Sequence, residues 1–429
     1  MSFSFYKTKI GEQVILQRGF DITKKDQVEG NIPVVSSGGI SSYHNEAKIS
    51  GPGVVLGRKG SLGTVFYIDG PYWPHDTTLW VKDFKNNNPI FVYYFFKNIS
   101  QLLKDMDVGA ANPALNRNHV HPLEVFWADR KIQDHIAGIL ASLDAKINNN
   151  TKINQTLEQI AQALFKSWFV DFEPVKAKIT ALEVGGSQEE ATLAAMATIS
   201  GKRTDALVIF EREHPEQYAE LKATAELFPS AMQSSEMGAI PAGWRTDIVD
   251  SIVNRLKVKN TFPPDCIKQF GKHPVLEQGA KVYQGYHDEE PSFNASLQSP
   301  MFIFGDHTCV MHLSIVPFDI SKNTLVLEGK GFNTYWTFFA LKGKQKFQEY
   351  KRHWSDLKVK QVIIPDGANG LLLTNFFASK CESLFGLLEQ NRKQNMILQN
   401  IRDTLLPKLL SGEITLPEVE QAVSEVENV

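Results

Sequence analysis

Three cysteines, Cys266, Cys309 and Cys381, are all that 429 residues contain, and none sits in a C-x-x-C pair. A disulfide framework and a thiolate zinc site are therefore not indicated, and a reducing cytoplasm fits this usage. The eleven histidines show no H-x-x-x-H spacing, so no metal is expected. No G-x-x-x-x-G-K-[ST] occurs to cradle a triphosphate. There is no surplus of positive charge either: 45 Lys and Arg stand against 48 Asp and Glu, a formal net charge of -3. A chain coated in basic residues is thus excluded, and contact with nucleic acid has to come from local patches. No apolar run approaches the length of a membrane span, and no cationic start followed by an apolar stretch opens the chain.

What the sequence does have is a repeat. Ile136, Leu140, Leu143, Ile147, Asn150, Asn154, Leu157, Ala161, Leu164 and Trp168 follow the alternating four- and three-residue spacing that keeps one face of a helix against a partner helix. The seam recurs 241 residues on as Phe377, Cys381, Leu384, Leu388, Asn391, Asn395, Leu398, Arg402, Leu405 and Leu409, with Cys381 and Arg402 as the two departures. An amide in an apolar seam lowers stability but fixes register and partner choice. Asn150 and Asn154 straddle the middle of one seam, Asn391 and Asn395 the middle of the other. The amides would meet in either pairing direction, so the pattern predicts pairing and leaves its direction open.

The repeat extends into the segments before each helix. Ile32, Pro33 and Val34 followed by Gly38 recur as His273, Pro274 and Val275 followed by Gly279. Gly53–Gly57 and Met301–Gly305 both read as strands ending in a turn, a helical stretch covers Ile90–Phe96, and β-rich runs at Leu123–Trp127 and Val362–Pro365 precede the helices. The expected class is α+β: mixed α/β domains at 1–130 and 238–368, long helices at 131–173 and 369–412, an exposed connector with some helix at 174–237, and an acidic tail at 413–429. Pro407 has Lys166 as its counterpart, and a helix-interior proline costs about 3 kcal/mol, so the second helix is expected to end or kink there.

The search for catalytic constellations is empty. Asp171, Glu173 and Lys176 have the composition of a nuclease site but fall at a helix end beside Trp168 and Phe169, where packing explains them. Asn112 and Pro113 only partly echo the motif of an amino-methyltransferase and read as a turn. The loop Gly57, Arg58, Lys59, Gly60 and Ser61 has neither a triphosphate nor a dinucleotide spacing. What remains is binding. Lys342, Lys344, Lys346, Lys351, Arg352, Lys358 and Lys360, against only Glu349 and Asp356 and with Tyr350, His353 and Trp354 interleaved, make a basic run suited to phosphate and base-edge contact. Arg255, Lys257, Lys259 and Asn260 add to it, as does His307 where a strand meets a loop. The first half offers Lys24, Lys25, Arg58, Lys59, Ser61, Asn116, Arg117, Asn118 and His119.

The chain resembles the DNA-specificity subunits of type I restriction-modification enzymes over nearly its whole length. Phe165–Val175, Ile240–Trp244 and Leu405–Ile414 carry the resemblance, helped by Gly57–Ser61 and by Gly305 with Asp306. The first half departs from it by opening on Phe3–Lys7 rather than on an Ile-Pro-x-Gly-Trp text, so its edge is expected to pack differently. The resemblance implies two target-recognition domains held apart by antiparallel helices, each reading one half of a split site on double-stranded DNA. It implies that two modification subunits dock on the helices, that restriction subunits join them, and that the chain itself is not a catalyst. S-adenosylmethionine, ATP and Mg would then act in the partners. A stand-alone nuclease or methyltransferase and a coiled-coil scaffold without DNA are the rival readings.

Overall fold

A computed structural model describes residues 5–106, 114–258, 261–279 and 281–414. The chain divides into two compact units, Met1–Asn149 with Gln394–Val429, and Asn150–Lys393. Each unit takes one globular domain, part of a first long helix, Arg130–Phe169, and part of a second, Gly367–Ser411.

In the first unit a four-stranded sheet runs in the order Ile15–Arg18, Thr78–Asp83, Gly53–Gly57, Val65–Ile68, beside a three-stranded sheet ordered Gly39–His44, Ile32–Ser36, Trp73–Pro74. Strand Phe5–Lys9 pairs antiparallel with Glu124–Ala128. The second unit repeats this topology. Its four strands are Val253–Arg255, Thr324–Gly329, Met301–Gly305 and Met311–Ser314; its three are Tyr283–His287, His273–Leu276 and Asp319–Ile320. Arg245–Ile248 pairs with Gln361–Ile364. Even the β-bulge recurs, at Val34/Val35 and at Val275/Leu276. This register makes Ile40 the counterpart of Tyr283, and Phe66 that of His312. The described part of the first half's opening therefore pairs as its counterpart does; residues 1–4 lie outside the description. The difference is one of packing: Trp244, buried against Phe169 and Phe172, has no partner text in the first half.

The helices pair antiparallel within each unit. In the first, Arg402 Nη1 lies 2.5 Å from Asp144 Oδ1 and Asn395 Nδ2 donates to Ile147 O at 3.2 Å, while Leu143, Ile147 and Leu398 form a buried cluster. In the second, Asn391 Nδ2 donates to Asn154 Oδ1 at 2.9 Å, Asn154 Nδ2 donates to Leu388 O at 3.1 Å, and the Phe165 and Phe377 rings stand 5.6 Å apart. Both departures in the seam have a cause. Cys381 is buried and behaves as a small apolar group, and Arg402 reaches across to a carboxylate.

Two expectations are corrected. The second helix continues through Pro407 to Ser411, because burial of Leu405, Leu406, Leu409 and Leu410 in the first unit's core offsets the lost backbone bond near the helix end. The connector is not merely an exposed link. Its helices Glu173–Glu183, Gln188–Ser200, Thr204–Glu213 and Pro215–Glu226 bury Ala195, Met196, Leu207 and Ala225 among themselves. They also give Val175 to the core of the second unit, and Lys178 is buried with its ammonium donating to Ala225 O and Phe228 O at 2.8 and 2.7 Å. Among the described residues one helix, Gly367–Ser411, is long and apolar enough by composition to cross a membrane, but its Leu373, Phe377, Cys381 and Phe385 are spent on that core. The acidic tail beyond Ile414 lies outside the described residues.

Candidate DNA-reading surfaces

Both candidate sites are built at the same place, where the inner strand of the four-stranded sheet ends in a glycine. In the first unit Gly57 N donates to Thr64 O at 2.8 Å, closing the hairpin loop that carries Arg58, Lys59 and Ser61. Arg58 N and Lys59 N both donate to Thr77 O, at 2.9 and 3.1 Å, and Leu115 N donates to Arg58 O at 2.9 Å. These bonds bring together sequence candidates that are more than fifty residues apart, since Asn116 follows at once. Its side chain accepts from Asn118 N at 3.0 Å and starts a short helix that exposes Arg117, Asn118 and His119. No side chain can be added to Gly57, because a Cβ there would meet Ser61 O at 2.0 Å.

Sequence reasoning missed Arg18, whose Nη2 pairs with Asp76 Oδ2 at 2.7 Å beside this loop, and whose position 58 residues away gave no signal. Burial works to raise the Asp76 carboxyl, but the hydrogen bond from Arg18 and the charges of His75, Arg18 and Lys59 outweigh it and hold the group below its ordinary value. Asp21, His75 and Asp76 bring metal-capable atoms within 4.8 Å of one another, a grouping that spacing along the chain does not show, but Asp76 is already committed to Arg18. Lys24 and Lys25 are exposed on a turn and are not drawn into the loop cluster.

In the second unit Gly305 N donates to Val310 O at 2.8 Å, and the residue after the glycine is Asp306. Asp306 Oδ1 accepts from His353 N and Trp354 N at 3.1 and 2.9 Å, and Asp306 O accepts from His353 N at 2.8 Å. His307 N is held by Gln278 Oε1 at 3.0 Å, leaving the His307 ring partly exposed. Arg255, the last residue of the first strand of that sheet, and Lys257 beyond it are exposed, whereas Lys259 and Asn260 lie outside the described residues, as do Asn112 and Pro113 in the first half.

Several members of the basic run stand elsewhere than a solvated reading surface. Lys342 turns toward the first long helix, 3.6 Å from Glu158 Oε2 and over the rings of Phe338 and Phe339. His353 is fully buried: its Nε2 accepts from Gln348 N at 3.3 Å, and its Nδ1 lies 3.2 Å from Gln345 Nε2. Lys344 Nζ donates to Gln361 O at 3.1 Å, and Lys360 Nζ donates to Lys344 O. Full burial of His353 and partial burial of the three lysines are the reason, since an imidazole or ammonium withdrawn from water must find partners inside the protein. Lys346, Lys351 and Arg352 are exposed, and Lys358 partly so. The carboxylates with the composition of a nuclease site are also committed: Asp171 pairs with Lys166, and Glu173 Oε2 accepts from Ser167 Oγ at 2.6 Å.

With this geometry in view, residues 8–159 match the type I restriction modification DNA specificity domain. The type I restriction enzyme HindI specificity subunit of Haemophilus influenzae is 33% identical over 336 residues, 70% of this chain and 71% of that protein. The MjaIX specificity subunit of Methanocaldococcus jannaschii is 27% identical over 345 residues, 77% and 70% of the two chains. The crystal structure of the type I restriction-modification system S subunit from M. genitalium covers 95% of this chain and 96% of its own at 15% identity, with a TM-score of 0.53, and so shares its fold. Sequence relationship across more than two thirds of the chain, joined to a twice-built domain on paired helices, places this protein in the family of type I restriction-modification specificity subunits.

Proposed function

We propose that each unit reads one half of a bipartite sequence in double-stranded DNA, through the loops gathered at Gly57 and at Gly305. The observation that carries this reading is the repetition of one loop platform with different side chains on it. Arg58, Lys59, Ser61 and the exposed face of Arg117, Asn118 and His119 would serve one half-site; His307, Arg255, Lys257, Lys346, Lys351 and Arg352 would serve the other. Arginine and asparagine edges can read bases in the major groove, and the arginines as well as the lysines can neutralise phosphate. The paired helices set the separation of the half-sites and dock two modification subunits. In the second unit Ile153, Ile160 and Leu387 remain exposed on these helices, an apolar surface suited to that docking. Restriction subunits join the modification subunits. The chain carries no chemical step of its own, and S-adenosylmethionine, ATP and Mg act in the partners.

The test is an exchange. Residues 1–130 are replaced by the corresponding domain of a relative, and methylated adenines are mapped in cells carrying the matching modification subunit. One half-site should change and the other stay. A change in both, or in neither, overturns the assignment of one domain to one half-site.

A further inference from the structure

Between helix Thr334–Leu341 and the short helix Trp354–Leu357, the second unit carries a loop clamped at its base and bare at its tip. The clamps are the buried His353 ring held by Gln345 and Gln348, Asp306 receiving His353 N and Trp354 N, and Lys344 and Lys360 bonded to backbone carbonyls. At the tip stands Tyr350, which is 103% exposed and has φ +59. Phe347, three residues earlier, is 57% exposed. A turn that needs a left-handed residue is met most cheaply by Gly, Asn or Asp, and a bulky aromatic there is strained. Neither folding nor solubility accounts for a fully exposed ring on a strained backbone. The tip also carries exposed Lys346 and Arg352 against one exposed carboxylate, Glu349, while exposed Lys351 is paired with Asp356 at 2.5 Å.

We infer that Tyr350 is a stacking wedge for DNA: the flanking cations seat the loop on phosphates, and the ring enters a base step of the half-site read by this unit. An apolar or aromatic wedge partly unstacks the step it enters, which favours easily deformed steps and so adds sequence preference without a hydrogen bond to a base. The inference rests on the DNA-reading role proposed above for this unit. Cationic flanks fit a polyanion, whereas an exposed ring awaiting a protein groove would call for an apolar rim.

The experiment uses the full chain assembled with its modification subunits and the duplex identified by methylation mapping, carrying 2-aminopurine at successive positions. Wild type should raise the fluorescence at one step, in one half-site only. Y350A should abolish that rise and weaken binding about 5- to 150-fold, the equivalent of roughly 1–3 kcal/mol for one aromatic–base stack. Y350F should keep both, because the ring and not the hydroxyl acts. Y350G is the sharper variant: it relieves the left-handed strain, so the melting temperature should hold or rise while the fluorescence signal is lost. If Y350A or Y350G keeps the signal and the affinity, the wedge is wrong while the DNA-reading role stands. If Y350A binds DNA normally but no longer assembles with the modification subunits, the ring is a protein contact and the wedge is again wrong. If wild type selects no sequence at all, the DNA-reading role fails, and the wedge with it.

Discussion

At the end of strand Gly53–Gly57 the first half of the chain places Arg58; at the end of Met301–Gly305 the second half places Asp306. Both residues bond through their backbone to the segment that opens a short helix, Leu115 in one case and His353 in the other. A side chain of opposite sign thus stands on the same backbone. Arg58 remains partly exposed beside Arg18, whereas Asp306 is spent on two backbone N–H groups. A second contrast lies behind the platform. In the first unit a cleft of about 700 Å³ opens between Ile40, Phe66 and Tyr67 of the sheets and Ala141, Asp144 and Asn148 of the helix. In the second unit the counterparts of Ile40 and Phe66 are Tyr283 and His312, bonded to each other at 3.0 Å, and Arg392 lies 4.9 Å over the Tyr283 ring. Arg392 also reaches Tyr286 OH at 3.1 Å and Glu389 at 2.5 Å. Duplication therefore conserved the backbone platform and let side chains diverge on it, so one domain is locked to its helix by an ionic cluster where the other leaves an open cleft.

Breaking that lock should have the largest effect. Glu389 is only 7% exposed, and removing its partner by R392A leaves a buried charge unpaired, which costs about 3–5 kcal/mol. Replacing both residues by those of the first helix, Asn148 for Glu389 and Thr151 for Arg392, removes the charge problem with the lock. The double variant E389N/R392T should then be more stable than R392A alone. Urea unfolding of the three chains checks this; a double variant as unstable as R392A would mean that packing on Tyr283, and not charge pairing, holds the domain to the helix.

The next effect is a dependence on pH set by His312, at a position where the first half has the non-titrating Phe66. Burial first, then the charges of Arg392 and Lys342, push the His312 imidazole down to about 4 from its ordinary 6.5. The unfolded chain takes up this proton as pH falls through 6.5 while the folded chain resists until about 4. Stability from this group is therefore full above pH 6.5 and is lost progressively between 6.5 and 4. H312F, which copies Phe66 of the first half, should flatten the curve in that window by up to about 3 kcal/mol while leaving the slope above it unchanged. Thermal melts from pH 4 to 8 decide it, and an unchanged acid slope in H312F would assign the sensitivity elsewhere.

These clusters mark where sequence reading stops. The helix seams, the central asparagines and the strands ending at Gly57 and Gly305 were legible because each obeys a local period or a fixed offset between copies. The α+β class and the family resemblance followed from the same text. The direction of helix pairing was not legible from the seam alone, since its amides meet either way; it is fixed by contacts such as Asp144 with Arg402. The roles of Lys342, Lys344, Lys360 and His353 were equally hidden. Composition counts a lysine as a surface cation until burial and a carbonyl partner are seen, and Glu158 and Gln361 lie far from Lys342 or in another strand. Arg18 and Asp76 met no rule of spacing at all.

The smallest effect concerns the position where the halves differ in charge. If Asp306 acts through its hydrogen bonds to His353 N and Trp354 N, it is the cap of a short helix, and D306A should cost about 1 kcal/mol. D306N keeps an acceptor oxygen and should cost only a few tenths, which separates capping from charge. The corresponding R58A in the first unit leaves the backbone bonds to Thr77 and Leu115 intact, so its stability should stay within about ±0.5 kcal/mol while its DNA binding loses salt dependence by a slope of about one. Equilibrium unfolding and a salt titration of DNA binding on the same variants measure the two responses. Should R58A destabilise the fold as much as D306A, or D306A reduce the salt slope, the division of one platform into a charged reading residue and a structural cap would not hold.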